Sequence, residues 1–102
     1  MTTGTVRLRR ATNGVHKFTV QFPDGGATVR FGRKGYSDFT IHKDPVRMKR
    51  YLTRHRSREN WTRSGAKTAG FWSRWLLWSE PNFQAALRRT QKVLGRKIVY
   101  AK

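Results

Sequence analysis

The 102-residue sequence contains no cysteine. Disulfide bridges, thiolate zinc sites and thiol nucleophiles are therefore excluded. Acids are scarce: five Asp and Glu stand against 23 Lys and Arg, a formal net charge of +18. So few carboxylates leave little from which to build both a divalent-metal site and a general base. No run of 18 apolar residues occurs, so no membrane-spanning helix is expected. Met1-Thr2-Thr3-Gly4-Thr5 lacks the apolar centre of a secretory signal. Gly-x-Ser-x-Gly, His-Glu-x-x-His and phosphate-loop patterns are all missing. The expectation is a non-enzymatic protein with no cofactor, no metal and no small-molecule substrate.

Aromatic residues, by contrast, are plentiful at 13%, with four Trp. A disordered basic tail would carry few. The length fits one domain with a basic coat, spanning 1–102 without an internal repeat, low-complexity tract or linker. Its partners should be acidic: nucleic acid, anionic lipid head groups or acidic faces of other proteins.

Alternation of period two marks strands with one dry face. Val6 and Leu8 alternate with Arg7 and Arg9. Phe18, Val20 and Phe22 alternate with Lys17, Thr19 and Gln21. Val29 and Phe31 alternate with Thr28 and Arg30. Asn13-Gly14 and Pro23-Asp24-Gly25-Gly26 have turn chemistry, because Gly accepts positive φ. The first 35 residues thus predict a three-stranded antiparallel meander that ends at Gly32-Arg33-Lys34-Gly35, with Arg7, Arg9, Lys17 and Arg30 on its polar face. Residues 36–102 read as mainly helical. Tyr36 to Lys43 shows no clear period and reads as a loop or short turn that packs Phe39 and Ile41.

Asp44-Pro45 predicts a helix start, the Asp as cap and the Pro in the first turn. Met48, Tyr51, Leu52 and His55 fall on one face of that helix. A polar stretch around Trp61 follows, then a second helix from about Thr68 to Trp78. Its stripe is Phe71, Trp75 and Trp78, widened by Trp72 and Leu76; Leu77 lies off the arc. A third helix carries Phe83, Ala86, Leu87, Thr90 and Leu94 on one face and stops at Gly95. Ile98-Val99-Tyr100 can add a strand. The fold class predicted is α+β, a small antiparallel sheet covered by two or three short helices.

Between Lys43 and Arg58 there are seven Lys or Arg and one acid, Asp44. On a helix these residues form a stripe that can follow a nucleic-acid backbone. The candidate binding residues for an acidic partner are Arg33, Lys34, Lys43, Arg47, Lys49, Arg50, Arg54, Arg56 and Arg58. An ordinary solvated helix face would look similar, but a surplus of 18 charges repels itself and is relieved by a partner of opposite sign. The Trp-rich segment reads first as core. Its functional reading is a protein interface at Trp61, Trp72, Leu77 and Trp78, because Trp is enriched at interface hot spots. His16, His42 and His55 are scattered, and His55 reads as a packed histidine. Asp38, His42 and Asp44 are close in sequence, but local capping explains both carboxylates better than a metal does.

One long stretch is distinctive. It runs Phe31-Gly32-Arg33-Lys34-Gly35-Tyr36-Ser37-Asp38-Phe39-Thr40-Ile41-His42-Lys43-Asp44. It continues with Arg50-Tyr51, Arg54-His55 and Gly70-Phe71-Trp72-Ser73-Arg74-Trp75-Leu76-Leu77-Trp78. From Phe31 to Trp78 the chain resembles a family of small basic proteins of unassigned function. That family is encoded by large double-stranded DNA viruses of algae and protists, the chlorella viruses and their relatives among them. No catalytic residues are assigned in it. The resemblance implies a place in the virion, and in the host cell during assembly. The expected role is a minor capsid protein that stabilises assembly, with the major capsid protein or other virion proteins as partners and the inner membrane surface as a further acidic face. The alternative is a nucleic-acid-binding protein that compacts or accompanies viral DNA. An assembly protein should leave some of the four apolar candidates exposed; a DNA binder should bury them beside a continuous basic surface.

Overall fold

The computed structural model describes residues 5–23 and 27–101. Three strands form the predicted meander: β1 (Val6–Arg10), β2 (His16–Gln21) and β3 (Thr28–Arg33). β1 pairs antiparallel with β2, and β2 with β3. Asn13 shapes the first turn by accepting from the Val15 and His16 N–H groups at 2.9 and 3.0 Å. Residues 24–26 of the second expected turn lie outside the described residues; Phe22 N–H donates to the Ala27 carbonyl at 2.9 Å beside them. A fourth strand, β4 (Ile98–Ala101), lies parallel to β1, so the sheet is mixed, in the order β3-β2-β1-β4.

The alternation decides the dry face. Val6, Leu8, Val20, Phe22, Val29, Phe31 and Ile98 are buried, whereas Arg7, Arg9 and Arg30 are exposed. Four helices follow, α1 (Phe39–His42), α2 (Pro45–His55), α3 (Ala69–Trp72) and α4 (Phe83–Leu94), and it is α3, α4 and the segment between them whose side chains join the apolar cluster on the dry face. A 3₁₀ turn at Arg63–Gly65 precedes α3, and a π-helical turn at Ser73–Leu77 continues it. The α+β architecture is that expected, with a short helix where Tyr36 to Lys43 read as a loop or turn. Phe39 is buried there as expected, but Ile41 is 59% exposed, because it sits on the outer side of that single helical turn.

The π turn corrects the reading of the Trp-rich segment. Trp78 N–H reaches back to the Ser73 carbonyl, five residues away, at 3.1 Å. Widening one turn from i→i+4 to i→i+5 inserts one residue into the helical period. Leu77, off the arc of a regular helix, is thereby rotated inward and is 3% exposed. Phe71, Trp72 and Leu76 are buried beside it, while Trp75 and Trp78 are only half-buried.

Lys17 is the second correction. Expected on the open polar face, it instead forms an ion pair with buried Asp38 at 2.5 Å. Gly32 makes this possible. Its φ is +73°, and a Cβ there would lie 3.2 Å from the Lys17 stem and 3.0 Å from Leu77 Cδ1. The missing side chain leaves the path along which Lys17 crosses the end of the sheet.

A candidate polyanion-binding surface

α2 starts as its sequence dictates. The Asp44 side chain accepts from Val46 N–H at 2.9 Å, and Pro45 occupies the first turn. Eleven residues at 1.5 Å each make a rod of roughly 16 Å. Tyr51 is its one buried residue; Met48, Leu52 and His55 are half-buried. The Tyr51 ring lies parallel to Trp78, with centroids 4.4 Å apart and planes 2° from parallel. Trp61 and His55 stack on the same ring at 6.4 and 4.4 Å. Burial, reinforced by the Glu59 carboxylate, pushes the Tyr51 phenol up to about 12, against the opposing pull of a Ser73 hydrogen bond and of Arg74.

All nine candidate cations are exposed: Arg33, Lys34, Lys43, Arg47, Lys49, Arg50, Arg54, Arg56 and Arg58. None makes an ion pair among the described residues. Lys43 donates to the Thr40 and Pro81 carbonyls, at 3.2 and 2.5 Å, and Arg58 to the Arg54 carbonyl at 3.2 Å. The described acids are occupied elsewhere. Asp38 holds Lys17 and accepts from Thr40 N–H at 3.0 Å. Asp44 caps α2, and Glu80 pairs with Arg89 at 2.7 Å. Glu59 lies 3.8 Å from His55 and fills the space over Gly70, where a Cβ would collide with its carboxylate. With these carboxylates so engaged, the Lys and Arg side chains of α2 form no ion pair among the described residues.

The outer sheet face is a second basic surface. Arg9 and Arg30 stand two strands apart across Thr19, and Arg7 lies opposite Gln21. No acid interrupts these registered positions. Cations on alternate strands are separated by about 10 Å.

The four apolar interface candidates are not brought to the surface together. Trp72 is fully buried against Phe22 and Phe31, and its ring N–H donates to the Ala66 carbonyl at 2.7 Å. Leu77 is buried by the π turn. Trp61 and Trp78 are half-buried and hold Tyr51 in place. Trp72 has no surface to offer a partner, and Leu77 shows only 3% of its own, at the floor of a groove. Arg74, which did not stand out in the sequence, braces this aromatic group. Its guanidinium lies 4.3 Å over Trp75 and 5.5 Å over Trp61, and it donates to the Trp78 carbonyl at 2.9 Å. Burial first, and then neighbouring Arg89, lower its pKa.

Asp38, His42 and Asp44 do not converge as ligands. His42 Nδ1 accepts from Asp44 N–H at 2.9 Å while both carboxylates cap helices. No group of three or more potential ligands fit for a metal occurs among the described residues. No helix among them is long and apolar enough to cross a membrane.

Sequence reasoning missed one apolar surface. Phe18, Phe83 and Tyr100, each expected to be core or strand, are only half-buried and meet one another at the end of the sheet. Their alternation and helical spacing look like those of any core residue; nothing local signals that the helix layer stops short of them.

Residues 6–55, just under half of the chain, match the model of a family of unknown function (DUF5754). The matched region holds the meander and α2, hence the outer sheet face and the basic surface except for Arg56 and Arg58. No curated protein and no solved structure matches the chain.

Proposed function

We propose that this protein binds nucleic acid through its phosphate backbone, without reading sequence. The observation that carries the reading is the separation of charge: nine exposed cations that form no ion pair among the described residues, against described acids engaged in caps and internal pairs. Arg47, Arg50 and Arg54 supply guanidinium forks along α2, suited to phosphate oxygens. Beyond Pro45 and Val46 in its first turn, the exposed face of α2 offers Lys, Arg and Thr53 and contains no Asn or Gln, the side chains that read adenine bidentately. Contacts of this kind position a protein on a duplex and carry no sequence information.

The test is anisotropy with labelled duplexes of unrelated sequence across a salt series. If about six phosphates are neutralised, log K falls against log salt with a slope of roughly −5. Replacing Arg47, Arg50 and Arg54 together by Ala should reduce the slope magnitude by about 3 and weaken every duplex alike. Binding that is insensitive to salt, or that prefers one sequence strongly, overturns the reading.

A second reading is a minor capsid protein, its cations set on acidic faces of the major capsid protein or on the inner membrane. The buried Trp72 and Leu77 give such a protein no anchor. The half-exposed Phe18, Phe83 and Tyr100 favour it, because they offer a protein partner another apolar surface. Fractionation of purified particles separates the two readings: a shell component stays with the capsid when the genome is released.

A further inference from the structure

At the end of the sheet a half-open groove of about 540 Å³ runs between Phe18 and Tyr100, the first turn of α4 at Phe83, and α1 at Ile41. Leu77 also lines it, and Arg10 and Lys34 supply its exposed cations. Its volume lies within the ordinary range of ligand sites. It is mainly apolar, and its lining is not used by the surface described above except for Lys34.

Two features define the occupant. The first is charge. Arg10 and Lys34 make no ion pair among the described residues, and the one acid of the groove, Asp38, is held by Lys17 and Thr40. The groove is thus electropositive around an apolar interior. The second is the use of the ring faces. Phe18 stacks on Phe31 at 5.7 Å and on Phe83 at 5.6 Å. Tyr100 closes on both Phe18 and Phe83, at 6.2 and 5.1 Å. A nucleobase needs a free aromatic face on which to stack, and the central ring, Phe18, has Phe31 and Phe83 stacked on it and Tyr100 turned edgewise to it. What they leave is apolar edge, together with the exposed side chain of Ile41. That surface fits an aliphatic side chain.

We propose that this groove docks an acidic segment of a partner protein, seating an aliphatic side chain among Phe18, Ile41, Phe83 and Tyr100 while flanking carboxylates meet Arg10 and Lys34. The inference is independent of nucleic-acid binding by α2 and the outer sheet face.

The test uses the full chain and three fluorescent probes: a Glu-Leu alternating heptapeptide, a Glu-Ser heptapeptide of equal charge, and a single-stranded oligonucleotide. The Glu-Leu peptide should bind at least tenfold tighter than the Glu-Ser peptide. Ile41→Ser alters a side chain that is 59% exposed, so the fold is retained. It should weaken the Glu-Leu peptide at least fivefold and change duplex-DNA binding less than twofold. The double variant R10E/K34E should weaken both peptides. Equal binding of the two peptides overturns the proposal, as does an unchanged Glu-Leu affinity in I41S. Loss of oligonucleotide binding in I41S as large as the loss of peptide binding assigns the groove to nucleic acid instead. Failure of duplex binding in the salt series, with the peptide results intact, removes only the nucleic-acid reading.

Discussion

The two basic surfaces are built to different standards of rigidity. On the outer sheet face, Arg7, Arg9 and Arg30 stand on hydrogen-bonded strands, and each strand is pinned from below by buried residues such as Leu8, Val20 and Phe31. On α2, a larger number of cations rests on a helix with one buried side chain, Tyr51, held by a ring stack and an Asp44 cap. The first surface fixes its charge spacing through strand register. The second presents dense charge on a lightly anchored rod. A polyanion whose shape varies along its length needs both properties: a fixed platform, and an arm that adapts at small energetic cost.

Both surfaces are disrupted most forcefully from beneath. Trp72→Ala removes the largest fully buried side chain, between the sheet and α3. A loss of about 3–5 kcal/mol is expected, read as a large drop in Tm and in the urea midpoint. Both surfaces should fail together, because both rest on that layer.

Tyr51→Ala should separate them. Losing the stack on Trp78 should cost about 2–3 kcal/mol, concentrated in α2. Hydrogen exchange should then show lost protection at Leu52 to Arg56 with β2 unchanged. Equal loss in the two regions would mean that α2 is no independent arm.

Asp44→Ala leaves the Val46 N–H without its side-chain acceptor. It should cost about 1 kcal/mol and reduce helicity at the start of α2 without moving the sheet resonances.

The last effect is confined to alkaline pH. Tyr51 has an ordinary value of 10.0 and is raised to about 12 in the fold. Above pH 10 the unfolded chain releases this proton first. The stability that Tyr51 contributes is therefore complete below pH 10 and is lost as pH rises through 12. Tyr51→Phe keeps the ring stack on Trp78 and should leave stability at neutral pH nearly unchanged. It should also flatten the alkaline fall in stability between pH 10 and 12. Parallel curves for the two proteins would contradict the raised value.

Much of the fold was legible because its signals are local. The β1–β3 alternation, the Asp44-Pro45 start, the Asp38 cap and the Gly95 stop each depend on a few neighbouring residues. Gly95 indeed adopts φ +76° and donates to the Gln91 carbonyl at 2.8 Å. The exposed cations of α2 were legible for the same reason: one helical period separates them from Tyr51. The apolar interface was not. Leu77 was read on a regular helix, and the π turn changes the period after Ser73. Lys17 was read on the polar face, but its path to Asp38 depends on Gly32, 15 positions away.

By itself, then, the sequence determined where strands and helices start and stop and that the surface is cationic, because periodicity, capping and net charge are properties of adjacent residues or of composition. Tertiary structure alone decided which apolar side chains reach solvent. Trp72 is enclosed and Phe18 half-open, although both look alike as core positions, because enclosure depends on how far the helix layer extends over the sheet. It also decided that the carboxylates meet internal partners. Asp38 finds Lys17 across a chain separation of 21 residues, and Glu80 finds Arg89 across nine. Those pairings leave the charge of α2 facing outward, and they form only when the packed elements bring distant residues within hydrogen-bonding distance.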